Sequence, residues 1–82
     1  MTNRQGVTVD SFIRRIDFGD DVEFECNGRM FTILGWTDGG PSVAEQKTLE
    51  NEAQFSDGKD LVMNYVIDGK TLIERFHEIR FL

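Results

Sequence analysis

One histidine and one cysteine set a low ceiling on the chemistry open to this sequence. His77 lies at the start of an alternating run with no triad-like neighbours, so it reads as a surface or edge histidine rather than a general base. Cys26 alternates with Phe24 beside a turn, in no Cys/His motif, and reads as a small buried hydrophobe. Together they are too few to hold zinc, and a lone cysteine closes no internal disulfide. Fifteen carboxylates make chance pairs unavoidable, so an enzyme built on carboxylates alone would have to bury two of them in one pocket. Asp17-Phe18-Gly19-Asp20-Asp21 fits the alternate-ligand spacing of a calcium loop poorly, and reads as a solvated turn. No phosphate loop, nucleophile elbow or dinucleotide fingerprint occurs. The expectation is a protein without catalytic residues, cofactor or metal.

Binding is the remaining class, and one stretch carries it. Asp21 to Trp36 reads as a β-hairpin: Asn27-Gly28 suits a type I′ turn, and both flanks alternate with aromatic or β-branched residues. A two-residue turn sets Cys26 opposite Arg29, Phe24 opposite Phe31 and Val22 opposite Ile33. That register sends Val22, Phe24, Cys26, Phe31 and Ile33 to one face, the core. Asp21, Glu23, Glu25, Met30, Thr32, Leu34 and Trp36 share the other. Burying Glu23 and Glu25 unpaired would be costly, so part of this second face should meet water. An apolar centre rimmed by acids is what a protein-binding surface looks like, and the candidate residues are Asp21, Glu23, Glu25, Met30, Leu34 and Trp36. Trp36 has two readings, an anchor for a partner or a lid over a second core layer. Stacking of bases on Trp36 and Tyr65 would need a basic groove, which is missing.

The elements that must position this face follow from local signals. Val9, Phe12, Ile13 and Ile16 fall on one side of a helix of about two turns. Thr8 can cap it, Asp10 lies near its positive end, Arg14 and Arg15 near its negative end, and Gly19 stops it. Asp38-Gly39-Gly40-Pro41 is a turn, and Ser42 to Gln46 a short third strand with Val43 inward. Residues 47–54 lack periodicity and read as a mobile loop, after which Phe55 anchors the chain. Ser56 or Asp57 caps a second helix bearing Leu61, Val62, Tyr65 and Val66, ended by Asp68-Gly69. Thr71-Leu72-Ile73-Glu74 is a capping-box pattern that opens a further brief helical turn. His77 to Leu82 alternates, favouring a closing strand, although Leu72, Phe76 and Ile79 also fit a helical stripe. Residues 1–6 are polar and read as a frayed, disordered end.

These pieces make one α+β domain over residues 1–82: an antiparallel sheet of three or four strands, centred on the hairpin 21–36, packed with an N-terminal helix and a C-terminal helical segment. Its expected core is Phe12, Ile16, Val22, Phe24, Phe31, Ile33, Val62, Val66 and Ile79. The formal net charge of −6 argues against direct contact with nucleic acid and favours a partner protein with a basic surface. No apolar run approaches the roughly 20 residues that span a bilayer, so no membrane partner is expected. The lone cysteine and lack of a signal segment suit the cytoplasm, and a chain of this size should be a monomer or small homo-oligomer.

The segments DFGDDVEFECNGRMFTILGW and VIDGKTLIERF resemble small uncharacterised proteins of Gram-positive bacteria and their phages. The resemblance implies an origin and brings no active site. The reading is a small acidic regulator, adaptor or inhibitor that binds another protein. Its rivals are a phage-type inhibitor that mimics nucleic acid with its carboxylates, and a small carboxylate enzyme.

Overall fold

The computed structural model describes residues 2–35, 37–47 and 52–82. In chain order the elements are α1 (Val9–Phe18), β1 (Asp21–Cys26), β2 (Arg29–Leu34), β3 (Ser42–Glu45), β4 (Ala53–Gln54), α2 (Gly58–Asn64), β5 (Val66–Ile67), β6 (Lys70–Thr71), a 3-10 turn (Phe76–Glu78) and β7 (Ile79–Phe81). One antiparallel sheet has the order β4-β3-β2-β1-β7, and β5 pairs with β6 as a separate two-stranded ribbon. The fold is α+β, as expected, with a wider sheet than the three or four strands anticipated.

The hairpin has the expected register, with Val22 opposite Ile33, Phe24 opposite Phe31 and Cys26 opposite Arg29. Asn27 at φ 53° and Gly28 at φ 80° both take the left-handed conformation that a type I′ turn demands. The inward residues Val22, Phe24, Cys26, Phe31 and Ile33 are fully buried. Phe24 and Phe31 stack at 5.1 Å, Phe12 of α1 meets Phe24 edge-on at 6.4 Å, and Tyr65 meets Phe31 edge-on at 6.3 Å. Both helices therefore lie on this face and close the core with Phe12, Ile16, Leu61 and Val62.

Thr8 caps α1 by accepting the Ser11 amide, and Gly19 ends it in the left-handed region. The helix runs two residues past its apolar stripe, to Phe18, and Asp17 in this last stretch has a partner outside the helix. Its Oδ1 accepts the Gly58 N–H at 2.7 Å and so caps the start of α2. A side chain at Gly58 would meet Asp17 Oδ1 and the Ile13 carbonyl, each at 2.9 Å, so glycine there sets how closely the helices approach.

Five expectations are corrected. Within the span 47–54 read as a loop, Ala53 and Gln54 pair with Val43 and Ser42 as β4. The Gln54 amide also donates to the Asp38 and Gly40 carbonyls; residues 48–51 lie outside the described residues. The second helix stops at Asn64, since Tyr65 is already extended, and Asp68-Gly69 is a second hairpin turn at φ 50° and 85°. Val66, expected in the core, stands on that hairpin and is 52% exposed. His77 is exposed in the 3-10 turn, while the closing strand after it is present, with Ile79 buried. Residues 2–6, read as a frayed end, instead dock on β7. Asn3 donates to the Ile79 carbonyl at 3.0 Å, and the Gln5 amide accepts the Phe81 N–H at 2.7 Å and donates to the Phe81 carbonyl at 2.9 Å. Two side-chain amides thereby satisfy the strand edge that β1 leaves free. The capping box is present, with Glu74 accepting from both the Thr71 amide and its hydroxyl.

Candidate functional site

The side of the sheet away from the helices is built from the alternate residues of the same strands. Asp21 lies across from Leu34, Glu23 from Thr32 and Glu25 from Met30, so each acid on β1 has an uncharged neighbour on β2. On the other flank of β1, Glu25 lies across from Arg80 and binds it at 3.2 Å. Asp21 and Glu23 are exposed and have no ion-pair partner among the described residues. Met30 is half-buried, and Leu34 is 43% exposed. Five of the six predicted site residues thus share one face; Trp36 lies outside the described residues.

Beside them is a cavity of about 320 Å³ lined by Thr32, Leu34, Ser42, Ala44, Glu45, Gln46 and Glu52. It arises from the pairing of small residues on β3 with longer ones on β2, Ala44 across from Thr32 and Ser42 across from Leu34. Gln46 closes one end by donating its amide to the Thr32 hydroxyl at 2.8 Å. The alternation of Ser42 and Ala44 could have placed β3 on this face from the sequence. That it leaves a hollow depends on the strand order.

The other polar cluster went unread in the sequence. Arg29 grips Glu45 with two hydrogen bonds, at 3.0 and 2.6 Å, reaches Asp68 at 2.7 Å, and lies 5.5 Å from the centre of the Phe31 ring. Hydrogen bonds to Glu45, then Asp68, push its pKa above the usual arginine value. Arg75 is buried and donates to the carbonyls of Ile67 and Asp68 and to Glu78. These contacts fasten the β5–β6 ribbon to the end of the sheet. The signal was Asp68-Gly69 between two short β-capable runs, but its partners lie far away in sequence.

Cys26 is buried, and desolvation, followed by the charge of Glu78, pushes its thiol pKa up, away from the thiolate a nucleophile needs. Burial, with Glu45 adding to it, pushes the Tyr65 hydroxyl up to about 12. The Ser56 amide holds Asp60 below its ordinary value, and the Thr71 amide does the same for Glu74, so both carboxylates serve local caps. Among the described residues no three His, Cys, Asp or Glu converge as a metal site, and no helix is long and apolar enough to cross a membrane.

The chain matches no protein-family model, no curated protein and no solved structure. The functional reading therefore rests on the geometry of this face.

Proposed function

We propose that this protein acts by binding another protein, as a regulator, adaptor or inhibitor, through the uncovered face of its sheet, with no catalysis of its own. The observation that carries the reading is the pair Asp21 and Glu23, exposed and without ionic partners among the described residues, standing directly across from Thr32 and the partly exposed Leu34. Carboxylates left open beside apolar surface steer a basic partner toward contacts that then exclude water. The net charge of −6 acts in the same direction over longer range. A reduced, buried Cys26 suits a cytoplasmic setting. The resemblance of residues 17–36 and 66–76 to small proteins of Gram-positive bacteria and phages names the extracts in which to seek a partner.

Nucleic-acid mimicry has less in its favour. Arg80 interrupts the acidic band at Glu25, while Arg29 neutralises Glu45 and Asp68 elsewhere. A carboxylate enzyme is served no better, since of the two acids lining the cavity Glu45 is engaged by Arg29 and Glu52 is exposed.

The test is capture from a Gram-positive bacterial extract on immobilised wild type and on the double variant Asp21→Lys with Glu23→Lys. A basic protein held by the wild type and lost from the variant is the expected result. Equal retention on both surfaces would remove the face from the account.

A further inference from the structure

The cavity and the two exposed carboxylates lie on adjacent strands, and their relative placement constrains what can cover them. Asp21 and Glu23 are two residues apart on β1, so their side chains emerge on the same face roughly 7 Å apart. Each stands across one strand spacing, about 5 Å, from a residue that lines the cavity: Asp21 from Leu34, Glu23 from Thr32. The cavity is therefore walled on β2 and β3 by Thr32, Leu34, Ser42 and Ala44, with the acids Glu45 and Glu52 also in its lining and Asp21 and Glu23 one strand away. A ligand filling it with an apolar group would hold any neighbouring cation within reach of a carboxylate.

We infer that the occupant is a short basic segment of a partner protein, in which one apolar side chain fills the hollow between Leu34 and Ala44 while a neighbouring Lys or Arg binds Asp21 and Glu23. This inference rests on the proposed protein-binding role of the face and adds the partner's chemistry to it. Charge complementarity selects this occupant over two others. A second copy laid face to face would bring acids against acids, and the one base on its outer strand β7, Arg80, is already held by Glu25. A nucleic acid would place phosphates over Asp21 and Glu23.

Peptides of defined sequence test this on the isotope-labelled protein by NMR. The probe is acetyl-Gly-Lys-Ser-Leu-Ser-Lys-Gly-amide, compared with one peptide whose Leu is replaced by Ser and another whose two Lys are replaced by Glu. The first should shift the amides of residues 21–23, 32–34 and 42–44, and either replacement should weaken binding about tenfold or more. Ala44→Leu, which fills the hollow, should cut affinity for the Leu peptide about tenfold and leave the Ser peptide unaffected. Should that variant fail to fold, the Leu and Ser peptides compared on the wild type still decide. Equal binding of these two peptides, shifts located elsewhere, no shifts at all, or broadening that grows with protein concentration alone would each overturn the inference. Charge-sensitive capture from the extract alongside failed peptides leaves the binding face standing and removes only this occupant.

Discussion

The two faces of the β1–β2 hairpin share a backbone, a turn and a register, yet they meet opposite environments. Toward the helices, Phe24 and Phe31 are sealed and stacked among Phe12, Phe76 and Tyr65. One residue away on each strand, Glu23 and Thr32 face outward with nothing from the helices above them. The contrast shows that a single dipeptide, Asn27-Gly28, settles both stability and the candidate site: a slip of one residue would put Glu23 in the core and Phe24 in water. The inner face is then expected to respond to changes of volume, and the outer face to changes of charge.

The largest effect belongs to the inner face. Phe31→Ala removes the ring on which Phe24 stacks and which Tyr65 and Arg29 both contact, and should destabilise by about 3–5 kcal/mol in denaturant unfolding. A loss under about 1 kcal/mol would mean that the core is not centred on the hairpin. The turn comes next. Gly28 has open space around it, so only its backbone conformation resists substitution, and Gly28→Val should cost roughly 1–3 kcal/mol. Gly28→Asn should cost much less, because Asn tolerates the left-handed region. An unchanged melting temperature in Gly28→Val would contradict the type I′ assignment.

Legibility from sequence divides along the same line. Hairpin and first helix announced themselves because their determinants are local: turn residues, alternation, and a cap and stop within a few positions. What escaped depends on distant partners. Ala53-Gln54 is too short to signal a strand and becomes one only because Val43 and Ser42 offer an edge. Asp68-Gly69 suits either a helix stop or a hairpin turn, and the choice falls to the extended Tyr65 and to Arg75, which holds the Ile67 and Asp68 carbonyls. Asn3 and Gln5 were polar residues without a pattern until β7 arrived from the far end of the chain. For the candidate site, the register put five residues on one face correctly. The hollow beside them needed the order β4-β3-β2, which no local spacing encodes.

Titration separates the regions at a smaller scale. Asp60 and Glu74 have depressed pKa values in the folded protein, so their contributions are present above the unfolded values near 4 and are lost as pH falls through the lower folded ones. Cys26 and Tyr65 are raised, so the stability they contribute is present below their unfolded values, about 8.5 and 10, and declines as pH rises past them. Unfolding measured across pH should show a plateau between these limits. A maximum outside that range would contradict the burial of Cys26 and Tyr65 or the caps.

The smallest effect on folding belongs to the outer face. Glu23→Lys should shift stability by no more than about 0.5 kcal/mol, since the side chain is exposed and has no ionic partner among the described residues. A loss comparable to that of Phe31→Ala would erase the distinction between the faces.

The central claim, that exposed carboxylates on this face recruit a basic protein, is tested most directly by the association rate of the captured partner as a function of ionic strength. For the wild type the rate should fall steeply with added salt, as screening cuts off attraction beyond about 10 Å near 0.1 M. For the Asp21→Lys, Glu23→Lys variant it should be slower at low salt and should no longer fall as salt is added. The same steep decline in both proteins would place the steering charges elsewhere and contradict the account.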